Sequence, residues 1–129
     1  MMKILVVDDE ADVKPLFVQR FRKEIKEHEI EFSFALSGEE ALVYLKEHQQ
    51  EIVLILSDIN MPGMSGIELL SKIRKDFKSP PPPVVMMITA YSDEENKRQA
   101  MENGANDFLT KPLDFNLLRE KFKTLNTNG

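Results

Sequence analysis

The sequence predicts an α/β fold, a doubly wound parallel sheet of five strands with helices on both faces. Two observations carry this expectation. The runs at residues 3–7, 52–56 and 84–88 are aliphatic and β-branched without polar alternation, as in strands covered on both sides. Between them lie segments whose apolar residues recur at helical spacing behind capping residues, and strands that alternate with helices across short links build parallel sheets through right-handed crossovers.

In chain order, residues 3–7 form the first strand. Val13, Leu16, Phe17, Phe21 and Ile25 then recur as one helical face, and Pro15 is compatible with that helix only in its first turn. Ile30, Phe32 and Phe34 alternate with Glu31 and Ser33, the period-two pattern of a strand nearer an edge. Ser37 with Glu40 matches a capping box, in which a hydroxyl and a carboxylate reciprocally satisfy free backbone donors. Ala41, Leu42 and Leu45 give the following helix its stripe, residues 52–56 are the third strand, and Ile67, Leu70 and Ile73 mark the next helix. The prolines at 80–83 read as a stiff extended spacer that ends the preceding helix before the fourth strand at 84–88, with a docking site for a proline-binding partner as the alternative. Ser92 with Glu95 repeats the capping box, and Gly104 supplies the left-handed residue that stops a helix. Residues 107–110 are the fifth strand, and Leu117, Leu118 and Phe122 line a last helix opened by Asp114. The expected strand order is 2-1-3-4-5, the flavodoxin-like arrangement. One domain is expected over residues 1–125, with 126–129 as a short polar tail that has nothing to bury.

Composition narrows the function. A chain of 129 residues, 42% hydrophobic and 30% charged, suits one globular domain with its own core. No apolar run approaches the roughly 20 residues a membrane helix needs, and no signal-peptide pattern opens the chain. Without cysteine there is neither a disulfide framework nor a thiolate metal site, so any metal must use oxygen or the two histidines. A cytoplasmic protein without membrane attachment is expected. Seventeen basic residues against 22 acids leave −5 charges, which argues against direct nucleic-acid binding by this domain.

Strands of a parallel sheet finish at one edge, where ligands bind near the reversal of strand order. Asp8 and Asp9 end the first strand, Asp58 the third, Thr89 the fourth and Lys111 the fifth. An acid after a strand is commonly only a cap or a solvated turn residue, but here three acids, a hydroxyl and an ammonium converge. Three carboxylates within about 5 Å repel by roughly 3 kcal/mol per pair at an effective dielectric near 20. A hard divalent ion such as Mg2+ relieves that repulsion with oxygen ligands. Beside it Asp58 can act as a nucleophile toward phosphorus, while Lys111 and Thr89 neutralise or hydrogen-bond the equatorial oxygens.

With these residues in place, the chain resembles the receiver domains of two-component response regulators. The motifs are Lys-Ile-Leu-Val-Val-Asp-Asp-Glu at 3–10, Leu-Ser-Asp-Ile-Asn-Met-Pro-Gly-Met-Ser-Gly at 56–66, Ile-Thr-Ala at 88–90 and Gly-Ala-Asn-Asp-Phe-Leu-Thr-Lys-Pro at 104–112. The resemblance implies that Asp58 takes a phosphoryl group from a sensor histidine kinase or phosphotransfer protein. It implies that Asp8, Asp9, Asp58 and the Asn60 carbonyl arrange Mg2+, and that Thr89 and Lys111 bind the phosphoryl oxygens. Phe108 matches the switch aromatic, which turns inward as Thr89 moves; a phenylalanine lacks the phenolic hydroxyl of the commoner tyrosine. Lys111-Pro112 resembles a lysine-proline step that is commonly cis, Pro62 and Gly66 would shape the loop after Asp58, and Asn60 and Tyr91 lie where the family tunes phosphoryl lifetime. The output surface falls on the helix at 92–103, the fifth strand and the last helix, often as a phosphorylation-promoted homodimer face controlling an output domain or partner. The first helix, with Arg20, Arg22 and Lys23, resembles the kinase-docking side, although the same residues suit a plain solvated face. Such a domain is a signalling phosphoacceptor that assists its own phosphorylation and dephosphorylation, not an enzyme with an external substrate.

Three rivals are weaker. An aspartyl-phosphate hydrolase usually carries a second acid two residues beyond its nucleophile, where Asn60 stands. A receiver-like interaction module working without phosphorylation would not need Asp8, Asp9, Asp58, Thr89 and Lys111 together. A flavin or nucleotide binder would show a glycine-rich loop after the first strand.

Overall fold

The computed structural model describes residues 1–48, 51–78, 80–90 and 93–128. Five parallel strands, β1 (Met2–Val7), β2 (Ile30–Ala35), β3 (Leu54–Asp58), β4 (Val84–Thr89) and β5 (Asp107–Thr110), form one sheet in the order β2-β1-β3-β4-β5. The helices among the described residues are α1 (Val13–Arg20), α2 (Arg22–Lys26), α3 (Gly38–Glu47), α4 (Gly66–Asp76), α5 (Glu94–Glu102) and α6 (Phe115–Asn128). The expected strand order and doubly wound class are both present. None of these helices is long and apolar enough to cross a membrane.

Alternation along the strands divides the core in two. Leu5, Val7, Ile55, Val85 and Met87 pack with Ala41 and Leu45 of α3, Leu69, Leu70 and Ile73 of α4 and Ala100 of α5. Ile4, Val6, Leu54, Leu56, Met86, Ile88 and Leu109 face the other way, against Phe17, Phe21, Leu118 and Phe122. Central β3 is buried at all five positions, because β1 and β4 flank it and helices cover both faces. Its strand starts two residues later than the apolar run at 52–56 and takes in Ser57 and Asp58, which the ladder pairs with β1 and β4. Polar residues thus enter the core on the strength of backbone pairing rather than hydrophobicity.

The single helix expected from Val13 to Ile25 is two segments. Phe21 departs from helical dihedrals (φ −111°, ψ 25°), although its N–H still reaches Phe17 O and its carbonyl still accepts from Ile25 N. The kink accompanies a fully buried ring in an aromatic cluster, 5.5 Å from Phe32 and 5.2 Å from Phe122. Pro15 lies in the first turn of α1, as expected. Leu16 and Leu117 are exposed, at 39% and 48%; the neighbouring Phe17 and Leu118 occupy the core-facing positions.

Caps explain the remaining boundaries. Ser37 Oγ accepts from Glu40 N at the start of α3 and Asp114 Oδ1 accepts from Asn116 N and Leu117 N at α6. The cap of α5 is Asp93, whose Oδ1 accepts from Asn96 N; Ser92 lies outside the described residues. Gly104 follows α5 with φ +97°, the left-handed stop the sequence suggested. α6 continues through Asn128, into the stretch expected as a tail, since extending a formed helix costs little per residue.

At the edge where strands begin, Arg74 of α4 ties three segments together. It donates from Nε to Gly104 O, from one terminal nitrogen to Pro83 O and from the other to Asn106 Oδ1. Across the sheet, Arg119 of α6 donates to Glu24 Oε2 and to Arg20 O, both at 2.5 Å, while its guanidinium lies 4.9 Å from the Phe21 ring centroid. Burial opposes ionisation of Glu24, but hydrogen bonds from Arg119 and the backbone outweigh it and hold the carboxyl below its ordinary 4.5.

A depressed carboxyl pKa contributes stability that is fully present above the unfolded value and is lost as pH falls through the folded one. Glu24→Gln should therefore destabilise by about 1–2 kcal/mol at pH 7. In urea denaturation the gap to wild type should narrow progressively as pH falls below 4.5.

Candidate phosphoacceptor and metal site

β1 and β3 are neighbours whose crossovers leave on opposite sides, so a crevice opens where they end. Asp8 directly follows β1, its N–H bonded to Ala35 O of β2. Its Oδ1 accepts from Glu10 N at 2.9 Å, which fixes the carboxylate. Burial pushes the Asp8 carboxyl above the usual range; the Glu10 N–H opposes this and the neighbouring Asp58 charge adds to it. Asp9 is exposed. Asp58 is the last residue of β3 and only 2% exposed. One carboxylate oxygen from each of Asp8, Asp9 and Asp58 lies within 4.8 Å of the others.

Lys111 closes the crevice from β5. Its backbone N–H donates to Thr89 O, and the Lys111–Pro112 peptide is cis. Its Nζ donates to Asp58 Oδ2 at 2.8 Å. Burial works against the ammonium charge, but the hydrogen bond and attraction of Asp58, with Asp8 and Glu10, outweigh it and raise Lys111 above the ordinary lysine value. Thr89, at the end of β4, is fully buried, and its Oγ1 has no hydrogen-bond partner. A buried hydroxyl left unpaired costs about 1–3 kcal/mol, so the site holds a donor awaiting an acceptor.

The loop after β3 depends on Gly66. Its N–H donates to Ile59 O at 2.8 Å, bringing the first turn of α4 so near β3 that a Cβ would lie 2.2 Å from the Asp58 carbonyl oxygen. The loop thereby holds Asp58 at the rim of the crevice. Asn60 is exposed in this loop, and Phe108 is half-buried on β5. Tyr91 lies outside the described residues. Asp8, Asp9, Asp58 and Lys111 therefore meet as the sequence suggested, and Thr89 ends the strand between Asp58 and Lys111. Sequence reasoning passed over the clamp of Glu10 N–H on Asp8, a backbone contact with no side-chain signature. It also passed over Lys97, whose Nζ lies 5.2 Å from the Phe108 ring centroid.

Residues 4–123 match the model of the response regulator receiver domain. This chain belongs to that family. The receiver is 36% identical over 124 residues to the response regulator PleD of Caulobacter vibrioides, covering 95% of this chain and 26% of PleD. Among solved structures it resembles the response regulator TrrA of Thermotoga maritima in complex with Mg2+ and BeF, with a TM-score of 0.75 and 34% identity over 97% of this chain and 99% of TrrA. It also resembles a chain of the co-crystal structure of the Saccharomyces cerevisiae histidine phosphotransfer protein Ypd1 with the receiver domain of Ssk1. That match has a TM-score of 0.84 and 30% identity over 98% of this chain and 89% of the other. Receiver domains are signalling phosphoacceptors, and the convergent edge of this receiver carries the chemistry such a role needs.

Gly66→Ala should cost at least about 2 kcal/mol, because the added methyl meets backbone rather than a side chain that can yield. Urea denaturation checks this, with Ser71→Ala on the exposed face of α4 expected within about 0.5 kcal/mol of wild type.

Proposed function

We propose that this receiver accepts a phosphoryl group on Asp58, in a Mg2+-dependent reaction, from the phosphohistidine of a sensor histidine kinase or phosphotransfer protein. The observation that carries this is the buried Asp58 carboxylate, bonded to Lys111 Nζ at 2.8 Å and grouped with Asp8 and Asp9. In the reaction an Asp58 carboxylate oxygen attacks phosphorus, a P–O bond forms, the donor's P–N bond breaks, and its electron pair leaves with the imidazole. Asp58 thereby becomes a mixed anhydride, as carboxylate nucleophiles do.

The donor set fits Mg2+: hard carboxylate oxygens crowded together, with Lys111 as the counter-charge paired to Asp58. Asp8, Asp9, Asp58 and the Asn60 carbonyl would hold the ion, which would supply charge neutralisation at the phosphoryl oxygens. Lys111 holds the Asp58 carboxylate in place beforehand and afterwards binds a phosphoryl oxygen. Thr89 donates its unpaired hydroxyl to another, which relieves the cost of burying it.

Phosphorylation adds about −1.5 to −2 charges near neutral pH. Thr89 then moves toward the phosphoryl group and Phe108 turns inward, altering the surface formed by α5, β5 and α6. That surface controls an output domain or partner, through a phosphorylation-promoted homodimer where two copies meet. The partner kinase docks beside α1, and the receiver works in the cytoplasm as one domain over residues 1–125.

Asp58→Asn should abolish uptake of label from acetyl phosphate in Mg2+; undiminished uptake rejects Asp58 as acceptor. Asp9→Ala should weaken Mg2+ binding at least tenfold, in line with the loss of a charged ligand. Titration of metal against an intrinsic or added optical probe checks it, and unchanged affinity contradicts the ligand assignment.

A further inference from the structure

We infer that Lys97 is a positioning residue of the switch: its ammonium holds the Phe108 ring in its resting place, and so sets how readily phosphorylation moves it. The inference rests on the roles proposed above for Asp58, Thr89 and Phe108. It adds a residue of α5 that the site chemistry does not touch.

The register of β4 and β5 pairs Thr89 with Thr110 and Met87 with Phe108. Paired residues of parallel strands share a face, and Met87 packs in the cluster beneath α3, α4 and α5. Thr89 and Phe108 are therefore diagonal neighbours on the face that α5 covers. One carries a hydroxyl without a partner and the other a ring only half-buried. A shift of Thr89 toward Asp58 changes the space beside the ring, so the two positions are coupled by packing.

Lys97 stands on α5 against that same ring. Its Nζ is 5.2 Å from the Phe108 centroid, within the range of an attractive cation–π contact. It also donates to Glu94 Oε1 at 3.3 Å. The Lys97 side chain is only 16% exposed, whereas Glu94 is 82% exposed. The Lys97 stem thus lies mostly against the protein and keeps the ammonium at the ring face, where a cation is attracted. Turning the ring inward withdraws that face from the ammonium, so the resting rotamer is favoured by an interaction the switched state lacks. Such a difference between two states is what sets their populations.

The test uses 4-fluorophenylalanine incorporated throughout the chain, which has eight phenylalanines; the Phe108 fluorine resonance is assigned by its disappearance in Phe108→Leu. Wild type, Lys97→Met and Lys97→Arg are compared with and without Mg2+ and beryllofluoride, and labelling by acetyl phosphate is timed in each. Lys97→Met keeps an apolar stem and loses the charge. Its Phe108 resonance should move, without beryllofluoride, part of the way to the wild-type beryllofluoride position, with labelling accelerated roughly two- to fivefold. Lys97→Arg, which keeps the cation, should stay with wild type. If wild type responds to beryllofluoride while Lys97→Met matches it in both states and in rate, the role of Lys97 is overturned and the phosphoacceptor reading stands. A wild-type resonance that ignores beryllofluoride while Asp58 still takes label overturns the switch and Lys97 together. Absence of label in wild type removes the phosphoacceptor reading itself.

Discussion

The contact between Lys111 and Asp58 is the one on which the rest of this structure turns. It reaches from the residue after β5 to the end of β3, across β4. Removing charge from water costs several kcal/mol before attraction repays it, and here Asp58 is buried while the Lys111 side chain stays 45% exposed, so the pair is weak evidence for stability. Its value here is in specification. β3 and β5 must finish level with one another, β4 must end in a residue small enough to pass between them, and Thr89 meets that need. The remaining carboxylates, Asp8 and Asp9, reach the same point because β1 lies on the other side of β3.

Most of the fold was legible because its strands are short uninterrupted apolar runs and its helices carry caps with a mechanism. The strand order followed from alternation of elements, and the site followed from asking what ends each strand. Errors arose where tertiary packing overrode a local pattern. Periodicity could not choose between Leu16 and Phe17, since both fit a helical face, and the larger ring took the core. Nor could it show the kink at Phe21, which accompanies an aromatic cluster assembled from α1, β2 and α6. The cap of α5 at Asp93 was hidden because adjacent residues both have capping side chains. Long-range polar contacts, such as Lys97 over Phe108, leave no trace in spacing along the chain.

The two sides of the sheet are built differently. On the side of α1 and α6, six phenylalanines touch one another across α1, β2 and α6, and Arg20 and Arg119 lie over two of the rings. On the other side, α3 and α4 bury aliphatic residues, but α5 buries fully only Ala100. Its remaining ties near the site are polar, among them Asp93 with Asn96, Lys97 with Glu94 and Arg98 with both Glu95 and Glu102. Segments with few buried apolar contacts open and shift at low free-energy cost. The unequal construction leaves one half of the fold looser than the other at α5, beside Thr89 and Phe108.

Arg74 gives that looser half a fulcrum. Its guanidinium bonds the carbonyl of Gly104, just past the end of α5, and grips Pro83 and Asn106 with its other nitrogens. A rod held at its far tip pivots there, with the least travel beside Asn103 and the most beside Glu94, the end nearer the crevice. The pinned tip therefore confines movement of α5 to its crevice end and keeps the starts of β4 and β5, which Arg74 also holds, in place.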